Sequence, residues 1–349
     1  MSCVLELMDY TAPYAGNFIP SIVSLARTLR ENGTETVLVF PTGAQDREWI
    51  GPLQAQGFPI FFLPPELMAA VRLLRRVCGT YGVTCAHSHF IDHSFYVPLR
   101  IACFGRRIAH VYHAHSMPHA EGNLFLRRAL MHTRKVLCVS DAVRDAMRAK
   151  GFGNCVTVPN GVDFARLELY EKADLPHPLV LMFGHDFFIK GIDTAINAFE
   201  RFDPAHRYTL GICVAGHEAQ AEQTLRTRYG APPWVRLLGP RADVGTYYRA
   251  ADVFLSASRT EGMPYAVLEA AWCGLPLVLS DIPQHTALNL PQAQLFSTKE
   301  PKALFAALER AVQTGGENVN RAYVEQRFSM QKWTQAVFCQ LFPDKEQTT

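Results

Sequence analysis

The sequence predicts an α/β protein of two parallel-sheet domains, and three observations lead there. Its 349 residues suit two domains of the usual ~100 to 200 residues. Short apolar runs alternate with stretches of helical periodicity along both halves, as in parallel sheets covered by helices on both faces. A hydrophobic content of 48% with 19% charged residues is ordinary globular composition, so each half can bury its own core.

In the first half, strands are predicted at Cys3 to Met8, Thr36 to Phe40, Ile60 to Leu63, Cys85 to His87, Arg107 to Tyr112, Lys135 to Cys138 and Cys155 to Val158. A helix over 19–32 follows from Ile22, Leu25, Ala26 and Leu29 at helical spacing, with Gly33 as its stop. Tyr14-Ala15-Gly16-Asn17 is the turn feeding that helix. It lacks the G-x-G-x-x-G pattern, so no dinucleotide site is expected there. Ser140 or Asp141 caps a further helix. The polar stretch Asp163 to Pro178, broken by Pro176-His177-Pro178, is the best linker. The first domain is therefore set at 1–168 and the second at 176–325.

The second half opens with a strand at Leu179 to Phe183 and a helix at Ile192 to Phe202. Strands Tyr208 to Ala215 and Val235 to Leu238 and a short helix over 243–251 come next. The densest stretch is 252–285. It reads as a strand (Val253 to Ser256), a polar turn, and a helix opening with Pro264 and running to about Trp272. Proline suits a first helical position, where its missing N–H has no partner to lose. Gly274 ends the helix and Leu275 to Leu279 forms the next strand. Pro301 to Thr314 is an amphipathic helix, and Arg321 to Phe342 a terminal one anchored by Phe328, Trp333, Phe338 and Phe342.

A strand, tight loop and helix start present unpaired N–H groups, a ready site for phosphate. Glu261 and Glu269 frame it. Alone, two glutamates are ordinary solvated acids. Here Glu261, seven intervening residues, and Glu269 followed by Ala270-x-x-x-Gly274-x-Pro276 resemble the signature of family 4 retaining glycosyltransferases of the GT-B fold. That resemblance implies two Rossmann-like domains facing a cleft, with a C-terminal helix (about 328–345) crossing back to the first. It implies that Glu269 holds the ribose hydroxyls of a nucleotide-sugar donor and that Glu261 lies beside the donor sugar. Gly262, Met263 and Pro264 would then present the helix start to the donor.

Gly184-His185, four residues, Lys190-Gly191 is similar to the family's Gly-Arg, four residues, Lys-Gly, whose two cations hold the donor pyrophosphate. Lys190 takes the lysine position. His185 replaces the arginine, and a neutral imidazole offers one donor where guanidinium offers a charged fork. Either His185 is partly protonated beside the phosphates, in which case donor affinity is expected to fall as pH rises through its pKa, or Lys190 and helix N-terminal N–H groups carry more of the charge. Val136 to Val143 and Val158 to Asp163 also look like family segments. By the same resemblance Gly16 faces donor phosphate and acceptor, Gly216 and Arg241 line the base pocket, and His113 or His115 contacts the donor sugar; alternation along an extended chain points both histidines to one side.

Seven of thirteen histidines fall between His87 and His119. Zinc is the first thought, but a structural site wants about four ligands and no nearby Cys or Glu-x-x-His pattern completes one, so no metal and no cofactor are expected. His87 and His89 read as structural. The nine cysteines contain no C-x-x-C pair and read as buried thiols.

Net charge is +2 but uneven: residues 66–150 hold 13 Lys and Arg against 5 Asp and Glu, a net of +8, and the remainder carries −6. Basic residues in apolar surroundings suit an anionic membrane surface or an anionic acceptor, and equally a solvated outer helix face. Nucleic acid is not expected, since interleaved stacking aromatics are lacking. The start lacks the charged and apolar regions of a signal peptide, and no apolar run approaches the ~18 residues that span a bilayer, so a cytoplasmic location is expected. The combined expectation is a metal-independent retaining glycosyltransferase acting on a glycan or lipid-linked acceptor in cell-surface polysaccharide biosynthesis. Its alternatives are a GT-B-like sugar-nucleotide epimerase and a catalytically silent nucleotide-sugar-binding subunit.

Overall fold

The computed structural model describes residues 2–118, 133–168, 171–184, 186–214, 217–239, 243–314 and 319–343. The chain forms two compact units, Met1–Gly161 with Met330–Thr349, and Val162–Ser329. The first holds β1 (Ser2–Met8), β2 (Thr34–Pro41), β3 (Ile60–Leu63), β4 (Val83–His89), β5 (Ala109–Ala114), β6 (Lys135–Cys138) and β7 (Cys155–Thr157), in the order β3-β2-β1-β4-β5-β6-β7. The second holds β8 (Leu179–Phe183), β9 (Thr209–Cys213), β10 (Val235–Leu238), β11 (Val253–Ser256), β12 (Leu277–Ser280) and β13 (Gln294–Phe296), in the order β10-β9-β8-β11-β12-β13. All strand pairs in both sheets are parallel.

Each order reverses once, between β1 and β4 and between β8 and β11. Ligands of open α/β sheets bind outside the carboxyl ends of the strands at that reversal. The strands are apolar runs because both faces of each sheet are covered. Val4, Leu5, Leu7 and Met8 of β1 are all fully buried, and Glu6 is buried among them. One face of the first sheet packs on the helix Phe18–Glu31 through Leu25 and Leu29, beside the terminal helix Met330–Leu341 through Trp333, Val337 and Phe338. The Ser24 and Thr334 hydroxyls, 3.0 Å apart, tie these two helices together.

Three expectations need correction, and one strand goes unread. The helix expected to open with Pro264 runs Tyr265–Trp272, and Pro264 is its extended N-cap at φ −80°, ψ 97°. The terminal helix expected over 321–342 is two helices, Val319–Phe328 and Met330–Leu341. It breaks where the chain passes between units: Val162 N–H donates to Phe328 C=O at 2.8 Å, and Val162 bridges Ser329. The stretch 162–168, assigned by sequence to the first domain, belongs to the second unit; there Phe164 stacks on Trp272 with ring centroids 5.4 Å apart. Finally, β13 escapes a periodicity reading because it is three residues long.

Trp333 is 4% exposed within the core of the first unit. Trp333→Ala is expected to destabilise the chain by about 3–5 kcal/mol. Urea unfolding followed by circular dichroism checks this, and a loss under about 1 kcal/mol would mean that the terminal helix is not an anchor.

Candidate active site

In the second unit, the loop after β8 is folded by its own backbone. Gly184 sits at φ +143°, where an added Cβ would meet the Lys190 side chain. The Asp186 carboxylate accepts N–H bonds from Phe188 at 3.0 Å and Ile189 at 2.7 Å. Gly191 is the N-cap of the helix Ile192–Phe202 at φ +65°, and a Cβ there would overlap the Ala257 carbonyl. Arg259, beyond β11, holds the loop from the other side. It makes a forked ion pair with Asp193 at 2.7 and 2.9 Å and lies over the Phe188 ring.

These constraints bring Lys190 against Glu261. Lys190 Nζ donates to Glu261 Oε1 at 2.7 Å, and Ser258 Oγ donates to the same oxygen at 2.7 Å. Ser258 is set in turn by Ser280, whose hydroxyl donates to the Ser258 carbonyl at 2.7 Å and lies 3.0 Å from His285 Nδ1. Burial lowers the His285 pKa from its ordinary value, which favours the neutral ring. A cavity of about 240 Å³ is lined by Lys190, Ser256, Glu261, Met263, Pro264 and Tyr265, among others. The sequence placed Lys190, Glu261, Met263 and Pro264 near one ligand, and they do share this cavity; Gly262 lies between them in the chain.

Glu269 lies one turn into the helix Tyr265–Trp272 and is buried. Arg166 Nη2 donates to its Oε1 in an ion pair, and the Tyr248 hydroxyl donates to Oε2 at 2.8 Å. Burial works against the Arg166 charge, but the Glu269 carboxylate overrides it and raises the guanidinium pKa. Burial and the Glu269 charge together push the Tyr248 hydroxyl well above its usual range. Neither Arg166 nor Tyr248 was singled out by sequence. Arg166 sits in the polar stretch read as linker, and Tyr248 in a short helix without a motif.

In the first unit, β1, β4 and β5 lie side by side, with Glu6 opposite His87 and His89 opposite His113. Glu6 Oε2 lies 3.0 Å from His87 Nδ1 and 2.9 Å from His89 Nε2. Burial alone would raise the Glu6 pKa, but the two histidines bring it down to about 2. Burial, then the neighbouring His87, lowers His89 to about 4. His113 and His115 are held well below the ordinary value by burial and by the other rings. The two stack at 4.4 Å, on one side of the strand as alternation requires. His113 is fully buried, whereas His115 is half-buried and bonds His89 Nδ1 through Nε2 at 2.9 Å. Gly16 sits at φ +55° in the turn before the first helix, its Cα facing the Tyr10 hydroxyl. His185, Gly216 and Arg241 lie outside the described residues.

Residues 21–166 match the family model "Glycosyltransferase Family 4", and residues 177–314 match "Glycosyl transferases group 1". The chain belongs to the family 4 glycosyltransferases. It is 46% identical over 162 residues to an Escherichia coli UDP-Gal:α-D-GlcNAc-diphosphoundecaprenol α-1,3-galactosyltransferase, covering 42% of this chain and 40% of that one. An uncharacterized glycosyltransferase of Haemophilus influenzae is 24% identical over 185 residues, 51% of this chain and 52% of that one. The chain thus spans about half the length of these relatives or less. Among solved structures, Anabaena HepE in complex with UDP-glucose is similar with a TM-score of 0.80 at 19% identity, covering 98% of this chain and 99% of that one. At that identity the likeness speaks for the fold, which is that of the GT-B glycosyltransferases.

In this family member the Arg166–Glu269 pair is a largely buried ion pair of the second unit. Arg166→Ala leaves the Glu269 carboxylate buried without its cation, at an expected cost of about 3–5 kcal/mol. Guanidinium unfolding of both proteins measures it, and an unchanged midpoint would show that the pair is not what keeps Glu269 inside.

Proposed function

We propose that the chain is a retaining, metal-independent glycosyltransferase that moves a sugar from a nucleotide-sugar donor to a hydroxyl of a lipid-linked or other glycan acceptor in cell-surface polysaccharide assembly. The observation that carries this is the Lys190–Glu261 pair beside the start of the helix Tyr265–Trp272, over one cavity. A departing diphosphate develops negative charge, so fixed cations and helix N–H groups aimed at it are the main catalytic means. Lys190 has three N–H donors, of which Glu261 takes one. The others are assigned to donor phosphate oxygens, joined by the N–H groups around Gly262 and Met263. Glu261 steadies the positive charge that grows on the sugar. Glu269, with four lone-pair sites shared so far by Arg166 and Tyr248, is assigned to the ribose hydroxyls.

In the first unit, His115 rather than His113 is assigned to the donor sugar, because it retains partial exposure. Gly16 is assigned to the same donor, at its phosphates, and so are His185 at the pyrophosphate and Gly216 and Arg241 at the base. Retention is read as front-face attack, in which the leaving phosphate takes the acceptor proton. The lipid-linked acceptor follows from the Escherichia coli relative, named for a diphosphoundecaprenol substrate.

A cytoplasmic protein resting on the inner face of the membrane fits this acceptor. Among the described residues no helix is long and apolar enough to cross a membrane. The helix Leu67–Thr80 exposes Leu67 and Met68 at its start and Arg72, Arg75 and Arg76 along its outer face. Nearby, Phe104 is 84% exposed beside the exposed Arg106 and Arg107. Apolar tips among arginines are the composition of a surface that rests on anionic lipid.

Lys190→Ala is expected to lower kcat/KM by about 10²–10³ with the fold intact; a variant of full activity would sink the assignment. Product analysis with donor alone separates transfer from epimerisation, and slow donor hydrolysis separates it from a silent subunit. Reversing Arg72, Arg75 and Arg76 to Glu is expected to abolish cosedimentation with phosphatidylglycerol-containing vesicles. Equal binding of wild type to pure phosphatidylcholine vesicles would refute the membrane reading.

A further inference from the structure

We propose that Glu6, His87, His89 and His113 bind one divalent transition-metal ion of the zinc class within the first unit. Glu6 Oε2, His87 Nδ1 and His89 Nε2 lie 3.0, 2.9 and 3.2 Å from one another. A tetrahedral zinc with bonds of about 2.0–2.1 Å spaces its ligand atoms about 3.3 Å apart, so three corners of the coordination shell are already set. His113 is proposed as the fourth: among the described residues, one ligand atom each from His87, His89 and His113 lies within 4.8 Å of the others, a group found apart from Glu6. Closing that corner needs the His113 ring to swing its donor nitrogen inward by about 1 Å or more to reach zinc bonding distance.

The hydrogen bonds of the cluster point the same way. His87 Nδ1 lies 3.0 and 3.1 Å from the two Glu6 oxygens, and His89 Nε2 lies 2.9 Å from Oε2 and 3.2 Å from His87 Nδ1, so two ring nitrogens are in competition for one carboxylate. His113 Nδ1 and Nε2 are both buried without a partner, and a buried polar atom left so costs about 1–3 kcal/mol. A cation bound by lone pairs removes the competition and uses one of the orphaned nitrogens. The outer shell is also present, because a metal-bound histidine characteristically has its second ring nitrogen hydrogen-bonded. With His89 Nε2 on the ion, His89 Nδ1 meets His115 Nε2 at 2.9 Å. Phe18 against His89 and Trp333 against His113 supply an apolar surround. Three imidazoles and one carboxylate fill a four-coordinate shell, so the ion is structural, and glycosyl transfer takes no step through it.

The test uses the whole chain, without a histidine tag, stripped with chelator and titrated with Zn²⁺ or Co²⁺. About one ion per chain is expected by elemental analysis, with the intense visible bands of four-coordinate Co²⁺ and a thermal midpoint that rises with Zn²⁺. His89→Ala and Glu6→Gln are expected to bring the stoichiometry near zero, and His115→Ala to weaken binding about 10–100-fold. Circular dichroism and cooperative urea unfolding of each metal-free variant show that it is folded. A folded wild type that takes up neither ion, or Co²⁺ bands that persist unchanged in His89→Ala, would overturn the proposal. Metal uptake and sugar transfer are read separately, so either can fail while the other stands.

Discussion

An ionised carboxylate inside a sheet has to be answered nearby, because removing it from water costs several kcal/mol even after the protein relaxes. Among the described residues three carboxylates are buried, Glu6 at 0%, Asp203 at 1% and Glu269 at 4% exposure, and much around Glu6 and Glu269 follows from that. Glu269 is answered by Arg166, which obliges the stretch 162–168 to stay with the second unit although the sequence suggests a linker. The attachment is secured by apolar packing as well. Phe164 stacks on Trp272, Arg321 lies over the Trp272 ring at 4.1 Å, and Trp272 Nε1 donates to Glu325 at 2.6 Å. Glu6 has no such cation. It is answered by imidazoles from the neighbouring strand, which carries the charge problem outward through His89 to His115.

Both units place their polar machinery at the sheet reversal, but they position it by different means. In the first, strand register alone sets the side chains, since residues two apart on parallel neighbours share a face. In the second, loop backbone does it. Lys190 reaches Glu261 only because Gly184 and Gly191 adopt conformations that a side chain would obstruct, and because Arg259 clamps the loop to Asp193. Strand-borne groups are the more rigid and loop-borne ones the more adjustable. Under the proposed function, the cation that follows a departing diphosphate, Lys190, sits on the second kind of support.

The parallel sheets were legible because strands buried on both faces read as apolar runs; β3, β6, β8, β10 and β11 fall on the predicted residues. What escaped was whatever tertiary context decides. The break at Ser329 is made by pairing with Val162, distant in sequence, so periodicity runs through it unmarked. The strings around Lys190, Glu261 and Glu269 single them out as candidates, yet nothing in those strings says that Glu269 is buried or that Lys190 bonds Glu261. Arg166 carries no local signal at all: one arginine in a polar stretch looks like any solvated one, and only the fold brings it to its carboxylate.

The proposed metal site puts the same limit most sharply. Local spacing argued against a metal because no completing ligand stands near His87, His89 or His113 in the chain. In a parallel sheet, however, ligand separation is set by the ~4.8 Å distance between strands and is indifferent to sequence separation. Glu6 is 81 residues from His87 yet bonded to it, because β1 and β4 are neighbours across the topological reversal. A helix-borne site must write its ligands at short intervals. A sheet-borne one can take them from any strands that lie adjacent, so histidines alternating on two predicted strands call for a search of every strand that could pair with them, and above all for a lone acid inside an apolar run.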